Sequence, residues 1–141
     1  MTGDNHRQVE LTRLRKARFL ARNQRGGELE FGEGDDAAFS PVELLLAGIA
    51  GCTAIDVDYI TAKRAEAETF TLTVDADKVR DEQGNRLADI VVRFAVTFPA
   101  TEGGDAAREV LPTAVRRSHD RLCTVSRTVE LGTPVEVQIQ D

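Results

Sequence analysis

The stretch "SPVELLLAGIAGCTAIDVDYITAK", residues 40–63, constrains the fold more than any other part of the chain. Ser40 is a good helix N-cap, Pro41 suits the first helical position, and Glu43 completes an S-x-x-E capping box. From Pro41 to about Lys63 the apolar residues fall on nearly every side. A helix apolar all round must be covered all round. One small sheet covers one face, so the remainder calls for a second helix or a second subunit. The expectation is a homodimer with this helix near its interface. Inside the helix, Gly48 and Gly51 should each cost about 0.5–1 kcal/mol relative to alanine. Together with Ala47, Ala50 and Ala54 they thin the helix so that another backbone can approach, and contact with a crossing helix offsets the cost. They also leave Cys52 beside a shallow surface that a substrate could enter.

Around this helix the pattern is β. "QVELTRL" and "ARFLARN" alternate roughly with period 2, and Arg25–Gly27 reads as a turn before "ELEF". "TFTLTVDADKV" puts Phe70, Leu72, Val74 and Ala76 on one face, and "DIVVRFAVTF" does the same for Ile90, Val92, Phe94, Val96 and Phe98. The two predict an antiparallel hairpin with a long tip at "RDEQGNR". "PVEVQIQ" alternates Val135, Val137 and Ile139 and predicts a closing strand. A second helix spans about Asp105–Leu122, either beginning near Thr113 or kinked at Pro112. The order β-β-β-α-β-β-α-β is an α+β pattern in a single domain, 1–141.

A formal net charge of −6 argues against a nucleic-acid partner. The cluster of Arg13, Arg15, Arg18, Arg22 and Arg25 reads as a charged strand face before a polyanion site. The amino terminus lacks the apolar core of a secretory leader, and the unbroken apolar run Leu44–Cys52 is too short for a bilayer. The expected location is cytoplasmic, with no membrane partner. Two cysteines in a reducing compartment do not make a permanent staple, which leaves a catalytic or sensing pair, or two buried small hydrophobes. His119 lies four residues before Cys123, but with only His6 besides and no C-x-x-C no metal site is expected. No phosphate loop, dinucleotide fingerprint or Ser-His-Asp order appears, so no cofactor is expected.

A free thiol near pKa 8.5 is only a few per cent thiolate at pH 7. Cys52 sits mid-helix, far from the favourable end of the dipole, and Asp56 at i+4 would oppose its ionisation unless paired. A reactive Cys52 therefore needs an arginine from elsewhere in the fold. Cys123 follows the second helix, whose carboxyl end disfavours thiolate, while Arg116, Arg117, Arg121 and Arg127 lie near it in sequence.

"SPVELLLAGIAGCTAIDV", followed about seventy residues later by "CTVSRT", resembles the OsmC/Ohr family of osmotically induced and organic-hydroperoxide-resistance proteins. The resemblance implies an intertwined α+β homodimer, with antiparallel sheets wrapped around central crossing helices. It implies a cysteine-based thiol peroxidase acting on organic hydroperoxides. By motif, Cys52 would be peroxidatic and Cys123 resolving, a dithiol reductant (lipoyl-type or a small thiol) then reopening the disulfide. The activating arginine would be Arg18 by position, with Arg22 and Arg25 behind it. The family's glutamate directly follows the proline. Here Val42 holds that position and Glu43 comes one later, nine residues before Cys52 and about half a turn out of phase with it. Thr124 stands where the family usually has proline. These departures keep open a second reading, a non-enzymatic redox sensor or small-molecule-binding protein.

Overall fold

The structure, a computed structural model, describes residues 5–140. Residues 1–4 and 141, which include both ends of the expected domain and the start of the stretch read for a leader, lie outside the described residues. The chain divides into two compact units, Met1–Leu45 and Leu46–Asp141.

The first unit is an antiparallel meander of β1 (Val9–Arg15), β2 (Arg18–Asn23) and β3 (Glu28–Phe31). Asn23 makes the second reversal: its Oδ1 accepts from the Arg25 N–H at 3.0 Å and the Gly27 N–H at 2.9 Å. Such Asx turns are why the "RGG" stretch leaves the strand. Phe19 and Phe31 pair across β2 and β3, ring centroids 6.2 Å apart. All seven residues of β1 are exposed, so among the described residues nothing covers Val9, Leu11 and Leu14. The unit ends in the predicted capping box. Glu43 Oε1 accepts from the Ser40 N–H at 2.9 Å, and Ser40 Oγ accepts from the Glu43 N–H at 3.2 Å.

From that cap helix α1 runs Pro41–Ala62. By length and composition alone it would suit a membrane span, a possibility the shorter unbroken run Leu44–Cys52 did not raise. Its buried residues are Ile49, Ala50, Thr53, Val57 and Thr61, while Ile55 and Tyr59 are exposed. The helix is thus covered on one side only.

In the second unit β4 (Thr69–Asp81) and β5 (Gly84–Thr97) form the expected hairpin, and the two predicted apolar faces are the half-buried ones. The tip is shorter than the sequence predicts. Glu82 and Gln83 alone make the reversal, closed by the Gln83 N–H donating to Asp81 Oδ1 at 2.8 Å. Pairing shifts between Asp75 and Asp77, and Asp89 opposite takes φ 55°. A bulge there re-aims the outer strands.

Helix α2 spans Glu102–Arg117, capped by Thr101. Gly104 is required by close approach, because a Cβ there would lie 1.8 Å from the Pro99 carbonyl oxygen. Pro112 neither starts nor stops the helix; it is exposed inside it. A π-helical turn, Ser118–Leu122, carries the chain to Cys123. A short helix unforeseen in the sequence, α3 (Thr124–Glu130), follows. The predicted closing strand is not formed. Residues 133–140 form no strand, with Val135, Val137 and Ile139 at 88%, 84% and 95% exposure. Alternation marks a segment ready to pair, but a strand exists only with a neighbour to bond.

Candidate functional site: a thiol pair between α1 and α3

Cys52 comes from the middle of α1 and is half-buried; Cys123 sits at the junction of the π-helical turn and α3 and is fully buried. Both thiols are free. Cys123 is close enough to Cys52 to act on its ionisation. Burial, first, pushes the Cys52 thiol above its ordinary value. Hydrogen bonding from the Val125 backbone opposes the rise, the Cys123 thiol adds to it, and the Thr124 backbone opposes it again. A low-pKa thiol is therefore not intrinsic to this chain's immediate surroundings of Cys52. The cation that sequence reasoning demanded remains a requirement.

Cys123 is more than a residue after a helix end. Its sulfur caps α3, accepting from the Ser126 N–H at 3.4 Å and meeting the Ser126 hydroxyl at 3.3 Å. Thr124, where the family has proline, is the first residue of α3, the position proline favours. Asp56 is taken up as well. Its Oδ2 accepts from the Ser118 hydroxyl at 2.9 Å, so the carboxylate is paired. Ser118 in turn lies 2.7 Å from the Thr53 hydroxyl. Nothing local in the sequence marks Ser118, because its partners are more than sixty residues away.

A cavity of about 260 Å³, which neither cysteine lines, has apolar walls that include Ile49, Ile90, Val92 and Phe94. Thr53, next to Cys52 in the chain, and Ser126, bonded to Cys123, both line it. His119 and Glu130 stand at its polar side, Nε2 to Oε2 3.3 Å. Hydrogen bonding to Asp120, first, and then the charge of Glu130 hold the His119 ring above its ordinary pKa.

The arginine candidates lie in the first unit and differ in environment. Arg18 is the most enclosed, its side chain 12% exposed, packed over Gly32, ion-paired with Asp36 and 3.6 Å from Glu30. The Asp36 carboxyl is held below its usual range by the Ala38 N–H first and Arg18 second. Arg22 is bound to Glu28 at 2.9 Å through Nε and is half-exposed. Arg25 lies in the exposed turn. Glu43 is engaged at the helix cap.

A family model described as OsmC-like protein matches residues 32–138. The chain belongs to the OsmC-like family. A protein of Mycobacterium tuberculosis, named only as uncharacterized, is 25% identical over 135 residues, covering 95% of this chain and 96% of its own. A hypothetical protein from Aquifex aeolicus shares the OsmC-like fold at TM-score 0.74 and 24% identity, over 92% of this chain and 90% of its own. A Legionella pneumophila protein, described as an organic hydroperoxide resistance protein OsmC and predicted redox protein, shares it at TM-score 0.60 and 15% identity, over 91% of each chain. The antiparallel sheets and the helices of the α+β pattern are thus those of an OsmC-like protein.

Proposed function

We propose that this OsmC-like protein is a cysteine-based thiol peroxidase of the cytoplasm that reduces organic hydroperoxides. The observation that carries the reading is the pair of free, neighbouring thiols, Cys52 and Cys123, with an apolar cavity lined by their neighbours Thr53 and Ser126. The Cys52 thiolate attacks the terminal peroxide oxygen. An S–O bond forms, the O–O bond breaks, and the alkoxide leaves as the alcohol after taking a proton. Cys52 is now a sulfenic acid. Cys123, losing its proton, attacks the Cys52 sulfur; the S–S bond forms and hydroxide departs as water. A dithiol, lipoyl-type or a small thiol, returns two electrons and reopens the disulfide.

In this reading Arg18 supplies the charge that offsets burial at Cys52, and its enclosure against Gly32 makes it a better fixed donor than Arg22 or Arg25. Glu43 enters as the residue that fixes the start of the cysteine helix. The apolar cavity favours an alkyl hydroperoxide over hydrogen peroxide. The working unit is a homodimer of one domain per chain, which would cover the bare side of α1.

Two observations favour a second reading, a redox sensor that turns over poorly: burial raises Cys52, and Val42 replaces the glutamate expected after Pro41. Steady-state consumption of cumene hydroperoxide with a dithiol decides between the two. Cys52→Ser should abolish it, since serine offers no comparable nucleophile at neutral pH. Cys123→Ser should retain the first attack, with a dimedone-trappable sulfenic acid on Cys52, and lose turnover with the dithiol. Stoichiometric oxidation without turnover in the parent protein would support the sensor. If neither substitution changes peroxide consumption, the peroxidase reading fails.

A further inference from the structure

Peroxide chemistry as proposed accounts for two sulfurs but not for what holds them together. Cys123 is carried by a single π-helical turn between two helices, and a displacement there would separate it from Cys52. The turn is tied at both ends by one residue. The Ser118 carbonyl accepts the Cys123 N–H at 2.8 Å across the turn. The Ser118 hydroxyl reaches α1, donating to Asp56 Oδ2 at 2.9 Å and lying 2.7 Å from Thr53 Oγ1. Ser118 has one hydroxyl hydrogen, and the carboxylate takes it, so the Thr53 hydroxyl donates into Ser118 Oγ. The chain of bonds therefore runs Thr53 to Ser118 to Asp56, with a fixed direction. Thr53 and Ser118 are buried, at 5% and 0% exposure, where an unmade hydrogen bond is costly. The two α1 residues that grip Ser118 are one and four positions beyond Cys52. The same serine thus grips the helix that carries one thiol and the peptide that carries the other.

Resting on the peroxidase reading above, we infer that Ser118 is a positioning residue for the resolving step: through Thr53 and Asp56 it latches the Cys123 turn onto α1, so that Cys123 can attack the Cys52 sulfenic acid. The step it governs forms the S–S bond, breaks the S–O bond and releases water, with no outside electrons. The first attack on peroxide feels the latch only through the Asp56 charge that Ser118 pairs, whereas the resolving step needs the turn itself in place. That separation is what distinguishes the latch from a general contribution to the fold.

The test compares the parent protein with Ser118→Ala, Thr53→Val and Thr53→Ser. Reduced protein is mixed with one equivalent of cumene hydroperoxide, quenched with dimedone at intervals, and weighed by mass spectrometry. In Ser118→Ala, oxidation of Cys52 should slow only by what an unpaired Asp56 charge costs the thiolate, an effect that higher pH restores, while disulfide closure slows about 10–100-fold, the scale of a small misplacement of reacting atoms. The dimedone adduct on Cys52 should accumulate accordingly. Each variant is also equilibrated with oxidised and reduced dithiothreitol, where Ser118→Ala should form the disulfide about tenfold less favourably, about 30 mV for a two-electron couple. Thr53→Val should move both readouts the same way by less, and Thr53→Ser, which keeps the hydroxyl, should restore them. Closure at the parent rate and equilibrium in a folded Ser118→Ala protein overturns the latch. Equal slowing of both steps also overturns it, because the hydroxyl would then act on the site as a whole. Should Ser118→Ala not fold, the dithiothreitol equilibrium of the Thr53→Val and Thr53→Ser pair decides alone, because Thr53 also lines the cavity and its peroxide kinetics would mix the two roles. A parent protein that ignores peroxide would defeat the peroxidase reading, and the dithiothreitol equilibrium would still decide the latch.

Discussion

Burial moves the Cys52 thiol away from ionisation, so the proposed reactivity at neutral pH calls for a cation. Arg18 is the enclosed candidate, and its removal should be visible without any peroxide. In Arg18→Ala the pH profile for iodoacetamide alkylation of Cys52 should move upward by about 1 unit or more, the size of an ordinary opposite-charge effect. Arg22→Ala, which breaks only the half-exposed pair with Glu28, should leave it in place. A shift with Arg22→Ala and none with Arg18→Ala reverses the assignment. Glu43 belongs to a different kind of effect. Its carboxylate and Ser40 satisfy each other's backbone N–H groups, so Ser40→Ala should lower stability by about 1 kcal/mol in urea melts. Peroxide consumption per folded molecule should hardly change. A large loss of rate at full folding would mean that the cap is part of the chemistry.

At the scale of elements, α3 and the π-helical turn are clasped by His119, whose ring is 3.3 Å from Glu130 and 2.9 Å from Asp120. The ring is held above its ordinary pKa by Asp120 first, so protonation is tied to the folded form. A raised histidine contributes stability that is complete below its unfolded value, about 6.5, and fades as pH rises through the folded value. The stability gap between parent and His119→Gln should therefore be larger at pH 5.5 than at pH 8.5, and salt should shrink it because the pairs are exposed. Equal gaps at both pH values would show the clasp to be uncharged packing. The elements also differ in how readable they were. The α1 start was legible because Ser40, Pro41 and Glu43 act within one turn, and the hairpin because alternation is local. Helix α3 was not, since a cysteine sulfur does its capping and the pattern of Ser, Thr, Asp and Asn caps misses it. Pro112 read as a break, yet it lies on an exposed face of α2. The two cysteines and the need for a cation were visible in the chain, whereas the Thr53–Ser118–Asp56 bonds, spanning more than sixty residues, left no local trace.

For the whole molecule the open question is what covers α1. The glycines that prompted the dimer expectation are not equivalent. A Cβ on Gly48 would meet Val125 of α3 at 3.8 Å, so a leucine there would collide with the chain's own helix and would report on that contact first. On Gly51, among the described residues, a Cβ meets nothing within 4 Å. In an isolated chain, then, Gly51→Ala should stabilise α1 by about 0.5–1 kcal/mol through propensity alone. In a dimer whose helices cross at this thin stretch, the added methyl enters a packed contact and should instead cost about 1–3 kcal/mol. The exposed Ile55 and Tyr59 one and two turns further along, and the alternating segment with Val135, Val137 and Ile139, argue for the second case. That much apolar surface left in water is unusual for a chain that folds alone. The parent protein should sediment as a dimer at micromolar concentration with no folded monomer and melt at a concentration-dependent temperature, which Gly51→Ala should lower. A folded monomer in the parent, together with a stabilising Gly51→Ala, would show that α1 faces solvent and that its glycines serve no crossing.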